Sequence, residues 1–219
     1  MISEKLAEIQ KTIPTNVCLV AVSKTKPVSY LLEAYEAGQR HFGENKVQEM
    51  TEKWEVMPKD INWHLIGHLQ TNKVKYIAPF VQLIHSVDSL KLLAEINKQA
   101  AKNQRVIDVL LQFFIAKEET KFGLDYQEAT ELLNSESFKN FKNIQVIGVM
   151  GMASFTDNQA VVKSEFAHLK TIFQQLKTEF FKDSATFKEI SMGMSGDYQL
   201  AIEQGSTIVR VGSSIFGGR

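Results

Sequence analysis

Short apolar runs alternate with polar stretches of helical period along the whole chain. The runs predict strands near 17–22, 40–43, 63–66, 83–87, 107–115, 145–150, 187–191 and 208–211. The stretches between them predict helices near 29–37, 45–55, 71–77, 89–102, 126–133, 159–180 and 198–204. Asp88-Ser89, Asp125, Asp157 and Asp197 stand where N-caps belong, and Gly38 and Gly205 where helices should stop. Before the first strand, Ile2, Leu6, Ile9 and Ile13 recur among Glu4, Lys5, Glu8 and Lys11, the pattern of an added amphipathic helix. Eight strands separated by helices imply a parallel sheet. In 219 residues they fit one compact (β/α)8 barrel of the TIM type, with a doubly wound sheet as the alternative. No Gly/Ser/Pro-rich linker or charge block divides the chain, so residues 1–219 are expected to form a single domain.

Charge narrows the partners. Twenty-five basic and twenty-five acidic residues balance, which argues against nucleic acid and against an anionic membrane surface. No apolar run reaches the length of a membrane span, and the N-terminal segment does not read as a signal peptide. Cys18 is the single cysteine and is expected within a buried strand. A reducing, cytoplasmic setting fits it.

Candidate chemistry gathers where the strands should end. Val20-Ala21-Val22-Ser23-Lys24-Thr25-Lys26-Pro27 runs from an apolar strand into two lysines, which would share the face of Val20 and Val22 if the strand continued. A desolvated lysine amine can be neutral and can condense with an aldehyde. The plainer reading is a strand end whose lysines reach water. Gly43-Glu44-Asn45 follows the second strand. There Glu44 and Asn45 are placed to orient a ligand hydroxyl, or Asn45 to cap the next helix. Ser195 precedes a helix, and Arg210-Val211-Gly212-Ser213 ends the eighth strand. Barrels often bind phosphate with the loops after strands seven and eight. Gly212 would let an anion approach the backbone, and Ser213 offers an N–H and a hydroxyl. Arg210 donates only, so it would keep a facing pyridine nitrogen unprotonated; its alternative is an ion pair with a barrel carboxylate.

Other polar residues carry less. His64 and His68 would share a face, but no further ligand stands at metal spacing, and no metal site is expected. His41, His85 and His168 read as structural or surface residues. Met150, Met152, Met192 and Met194 are expected to line the barrel mouth. Glu118-Glu119-Thr120-Lys121 reads as a solvated loop at the rim.

Five motifs, in order, resemble one known family. They are Ala21-Val22-Ser23-Lys24-Thr25-Lys26-Pro27, Phe42-Gly43-Glu44-Asn45-Lys46-Val47-Gln48-Glu49, the segment from Trp63 to Lys73, Ser191-Met192-Gly193-Met194-Ser195 and Val209-Arg210-Val211-Gly212-Ser213-Ser214-Ile215-Phe216-Gly217. The chain resembles the pyridoxal phosphate (PLP) homeostasis proteins, relatives of the alanine racemase N-terminal barrel. That resemblance implies PLP as cofactor, with Lys24 as its Schiff-base lysine. It puts the phosphate on Ser195, Gly212 and Ser213, Arg210 at the pyridine nitrogen, and Asn45 beside the lysine and ring. Two departures stand out. Ser213 occupies a position where threonine is common, and Phe113-Phe114 fills a stretch of strand five where a polar asparagine is expected.

The same resemblance bears on activity. Racemases use a second base on the opposite face, a tyrosine from a C-terminal β-domain of the partner subunit. No such domain is expected after residue 219, and Tyr30, Tyr35, Tyr76, Tyr126 and Tyr198 all fall on predicted helices or their edges. The expectation is therefore a binding protein with no catalytic residue, which buffers PLP or delivers it to PLP-dependent apo-enzymes, as a monomer or weak dimer. The alternatives are a PLP-dependent amino-acid racemase and a PLP-free barrel enzyme acting on phosphosugars.

Overall fold

The computed structural model describes residues 1–116 and 123–218. Its strands are β1 (Cys18–Val22), β2 (His41–Glu44), β3 (Asn62–Leu65), β4 (Leu83–Val87), β5 (Ile107–Phe114), β6 (Ile144–Met152), β7 (Glu189–Met194) and β8 (Ile208–Val211). Every neighbouring pair is parallel, and β8 pairs with β1 to close the barrel in sequence order. The doubly wound alternative is thereby excluded. Closure leaves no strand edge unpaired.

The helices are α1 (Ile2–Lys11), α2 (Val28–Glu36), α3 (Val47–Val56), α4 (Val74–Ile77), α5 (Leu90–Lys102), α6 (Tyr126–Asn134), α7 (Glu136–Lys139), α8 (Gln159–Glu179), α9 (Tyr198–Glu203) and α10 (Ser213–Phe216). Ahead of α4 the chain makes a 3₁₀ turn, Thr71–Lys73, where one continuous helix was expected. The short α7 and α10 were not foreseen. Ser135 closes α6 and caps α7, accepting from the Phe138 N–H at 3.2 Å. The added helix α1 buries Ile2, Leu6 and Ile9. Glu33 on α2 accepts from the Ile2 and Ser3 N–H groups at 2.8 and 3.2 Å, satisfying donors that a helix start leaves open.

Two caps differ from expectation. Asn158, rather than Asp157, caps α8, accepting from Ala160 and Val161. Asp197 turns back instead, accepting from the Met194 N–H at 2.5 Å. Ser89 and Asp125 cap α5 and α6 as predicted, the latter in a reciprocal box with Glu128. Gly38 and Gly205 end their helices in the left-handed region, at φ 96° and 94°.

The main core lies between strands and helices and contains Phe42, Trp63, Phe113, Phe166 and Phe187. A second apolar group, Val20, Leu83, Leu110, Met150 and Ile208, sits inside the barrel. The packed interior leaves the strand C-terminal ends as the place for a site.

Candidate functional site

The strand that carries Lys24 stops at Val22, so Lys24 and Lys26 do not continue its face as expected. Residues 23–26 instead make a turn, with the Lys26 N–H donating to Ser23 O at 3.1 Å and Thr25 at φ 64°. A non-glycine residue in that region needs support from around it. The support is a buried ion cluster under the turn. Lys53 on α3 donates to Ser23 O, Glu44 Oε1 and Glu49 Oε1, each at 2.7 Å. The Ser23 hydroxyl donates to Glu44 Oε1 at 2.6 Å, and the Thr25 N–H donates to Glu49 Oε1 at 2.6 Å. Both neighbours of Lys24 are thus pinned, while Lys24 itself is half-buried. Burial pushes the Glu44 carboxyl up, opposed by the Lys53 charge beside it. Glu44 serves the turn rather than a ligand hydroxyl. Lys26 ties down the chain's other end, donating to Gly218 O at 2.7 Å.

Arg210 lies two residues before Gly212 and is 4% exposed. Its partners are the Ser191 hydroxyl, at 2.5 Å, and Gly151 O, at 3.1 Å. Among the described residues no carboxylate reaches it within ion-pair distance, so the expected alternative of a barrel ion pair is not realised. Burial lowers its pKa to about 10, with Asp197 acting in the other direction. It remains a cation at neutral pH, buried at the mouth end of β8.

The rim loops converge around it. Gly212 has no room for a side chain, since a Cβ would stand 2.9 Å from Val22 O. Its N–H donates to the Ser195 hydroxyl at 3.1 Å, which joins the loops after β7 and β8. Ser213 follows, exposed, at the start of α10. Val22 pairs with Gly43 across β1 and β2, so Lys24 and Asn45 lie equally far beyond that pair. Asn45 does not cap α3; Lys46 occupies that position. The Asn45 backbone is pressed against Gly67, where a Cβ would stand 2.4 Å from Asn45 O. Lys24, Asn45, Ser195, Arg210, Gly212 and Ser213 therefore come from four strand ends of one rim.

Several residues escaped the sequence reading. Of the two readings for His41 and His85, the structural one holds, and their mutual contacts were not foreseen. His41 Nδ1 meets His64 Nε2, His64 Nδ1 meets His85 Nε2, and His85 Nδ1 meets the Ser191 hydroxyl, each at 2.9 Å. His68 lies apart, near Asp88 at 3.9 Å, so the expected shared face with His64 is absent. Among the described residues no three potential ligands gather to hold a metal. Lys53 and Glu49 carried only the signal of an (i, i+4) pair on a helix.

The methionines split. Met150 fills the barrel interior and Met192 packs outward among the helices, while Met152 and Met194 are exposed. Phe113 also packs outward, and alternation from Leu110 puts Phe114 on the inner face near the mouth. Cys18 is half-buried, with its thiol pushed to about 12 by burial and then by the Glu189 charge. His168 is exposed on α8. Residues 118–121 lie outside the described residues.

Comparison with known proteins agrees with this fold. The family model of the alanine racemase N-terminal domain matches residues 1–219. The pyridoxal phosphate homeostasis protein of Aquifex aeolicus is 41% identical over 202 residues, covering 92% of this chain and 86% of that protein. That of Schizosaccharomyces pombe is 41% identical, covering 93% and 85%. Among solved structures, PipY of Synechococcus elongatus without PLP superposes with a TM-score of 0.91 at 36% identity, covering 99% of this chain and all of that one. PipY with PLP bound gives 0.89 at 35% identity, with the same coverage. The alanine racemase of Bartonella henselae shares the fold alone, at a TM-score of 0.75 and 16% identity; this chain spans 58% of it. A barrel closed in sequence order, with a lysine turn, a buried arginine and a glycine-serine rim, thus has relatives along its full length: the chain belongs to the alanine racemase N-terminal domain family and, within it, to the pyridoxal phosphate homeostasis proteins.

Proposed function

We propose that this protein binds pyridoxal 5'-phosphate at the barrel mouth and takes part in its intracellular homeostasis, by buffering it or handing it to apo-enzymes that require it. One observation carries the reading: among the described residues no carboxylate stands within ion-pair distance of the buried Arg210 cation, which lies two residues from a glycine with no room for a side chain. A buried charge of this kind calls for an electron-rich partner at the mouth. The names of the relatives, and a PLP-bound structure of PipY, support the same ligand.

The roles follow from each side chain. Lys24 is the amine that takes the aldehyde, held in place by Lys53, Glu44 and Glu49. Gly212 and Ser213 offer N–H groups, and Ser195 and Ser213 hydroxyls, to a phosphate. The Gly212 N–H, which donates to the Ser195 hydroxyl, would be a donor for such an anion. Arg210 would donate to the ring nitrogen and, having no lone pair with which to accept a hydrogen bond, would leave that nitrogen unprotonated. Asn45 flanks Lys24 on the neighbouring strand end. The cofactor, when bound, supplies a reactive aldehyde and an electron-accepting ring, and Arg210 weakens the latter. Of the tyrosines, Tyr35 donates to Asp60 at 2.8 Å and Tyr198 meets Thr12 at 2.9 Å, so neither is free to act as a second base.

The test is absorbance of the purified protein with added PLP, before and after borohydride, followed by peptide mass mapping. A visible-edge band and a pyridoxyl group on Lys24, absent in Lys24→Ala, are expected. No band and no adduct would overturn the reading. Sustained conversion of L- to D-amino acids by the pure protein would replace binding by catalysis.

A further inference from the structure

Three histidines and a serine cross the inside of the barrel and end on Arg210. The line starts at His41, half-buried on β2. It steps to His64 on β3 and His85 on β4, then crosses to Ser191 on β7. His64, His85 and Ser191 are all buried. Neither a metal nor a carboxylate accounts for this line among the described residues. Aliphatic side chains would fill the same space without the cost of burying polar groups.

Donor accounting gives the line a direction. The guanidinium only donates, so the Ser191 oxygen accepts from it. The Ser191 hydroxyl has one proton, and its other neighbour is His85 Nδ1. Giving that proton to His85 leaves no buried donor unpaired. His85 Nδ1 is then an acceptor. Burial holds His85 and His64 neutral, the latter at about 3, so each ring carries one proton. That proton sits on Nε2 of His85, which donates to His64 Nδ1. His64 Nε2–H donates to His41 Nδ1 in turn. At the far end Asn62 Nδ2 stands 3.5 Å from His41 Nε2, and the direction of the line calls for that amide in its flipped orientation, with the oxygen facing the Nε2–H. Aligned bonds of this kind polarise one another, which strengthens Ser191 as the acceptor for Arg210.

We propose that His41, His64 and His85 form a one-way relay, all with the proton on Nε2, and that His85 acting through Ser191 is a positioning residue for Arg210. With Gly151 O as a second anchor, the relay sets the plane of the guanidinium. The value of that plane to a ligand rests on the PLP reading; the relay itself does not.

The test uses the cofactor-free full chain. Long-range 1H–15N spectra of the imidazoles should show one Nε2–H tautomer for each of the three rings at neutral pH. The Nη protons of Arg210 should appear as separate signals, as from a guanidinium that does not rotate. Ser191→Ala and His85→Leu should merge those signals, whereas His85→Asn, whose amide oxygen can replace Nδ1, should keep them apart. In PLP titrations, His85→Leu should weaken binding by about tenfold, the loss of one hydrogen bond supporting a charged group, and His85→Asn should largely restore it. An Nδ1–H or mixed tautomer at His64 or His85 in the unaltered protein, or an unchanged Arg210 in both Ser191→Ala and His85→Leu, would overturn the relay. Wild-type protein that shows the tautomers and the fixed guanidinium but takes up no PLP would overturn the PLP reading alone.

Discussion

The inside of the barrel holds two groups of side chains under opposite rules. Val20, Leu83, Leu110, Met150 and Ile208 form an apolar plug. His41, His64, His85, Ser191 and Arg210 form a polar seam. The two share strands: His85 follows Leu83 by one inward position on β4, and Arg210 follows Ile208 on β8. The plug contributes stability simply by leaving water. Each member of the seam loses hydration and recovers it only through a partner in the right place. One layer is therefore tolerant of shape and the other is not. The site stands on the intolerant layer, where its cation must be aimed.

Substitutions can separate the two. The largest effect is expected beneath the Lys24 turn, where polar logic is repeated with full charges. Lys53→Met would leave the buried Glu44 without its cation and facing the half-buried Glu49, and should destabilise the fold by about 3–5 kcal/mol in denaturant titrations. Glu44→Gln added to it should recover part of that loss, because Glu44 is buried and already pushed toward its neutral form. Next, Leu110→Ala in the plug should lower stability by about 2–5 kcal/mol. Its folded fraction should bind PLP within about twofold of the parent, since the plug aims nothing. A loss of affinity matching the loss of stability would erase the distinction between the layers.

Acid should find the seam rather than the plug. Burial lowers the pKa of His41, His64 and His85, so the unfolded chain binds more protons than the folded one below about pH 6.5. Stability therefore falls as pH drops, by up to about 1.4 kcal/mol per pH unit for each histidine involved. For His64 the window runs from about 6.5 down to about 3. Glu44, raised instead, has the opposite sign, and its window opens upward from the ordinary carboxylate value. Denaturant midpoints measured between pH 7 and 5 should show the slope. His85→Asn should remove one histidine's share, and Leu110→Ala should leave the slope unchanged. The smallest effect belongs to Ser191→Ala, expected to cost about 1–3 kcal/mol of stability through the unpaired His85 nitrogen. Its influence on the Arg210 signals should be out of proportion to that cost.

Much of this was legible along the chain. Eight apolar runs at helix-separated spacing suffice for a parallel sheet, because the period of burial is local and repeats, and only the pairing of β8 with β1 chooses the barrel over the doubly wound alternative. Gly212 and Arg210 were visible as a pair at a strand end, since a glycine beside a lone basic residue in an apolar run has few structural uses. The turn at Lys24 was not legible. Strand alternation would have carried Lys24 and Lys26 along one face, but Glu44, Lys53 and Glu49 fold the backbone over at Ser23. Asp157 and Asn158 are both good caps on sequence grounds, and only the path of the chain into α8 selects the second.

The sequence by itself determined the alternation and which residues stand where the strands end, because each depends on neighbours within a few positions; closure needed β8 to meet β1. Tertiary structure alone decided what the histidines are for. His41, His64 and His85 lie more than twenty residues apart and carry no mutual spacing signal. They meet because β2, β3 and β4 are adjacent and point those positions inward. Ser191 reaches them from the other side of the barrel, 106 residues away in sequence from His85. Hydrogen bonds are short and directional, so such a line exists only once closure has set the register of every strand.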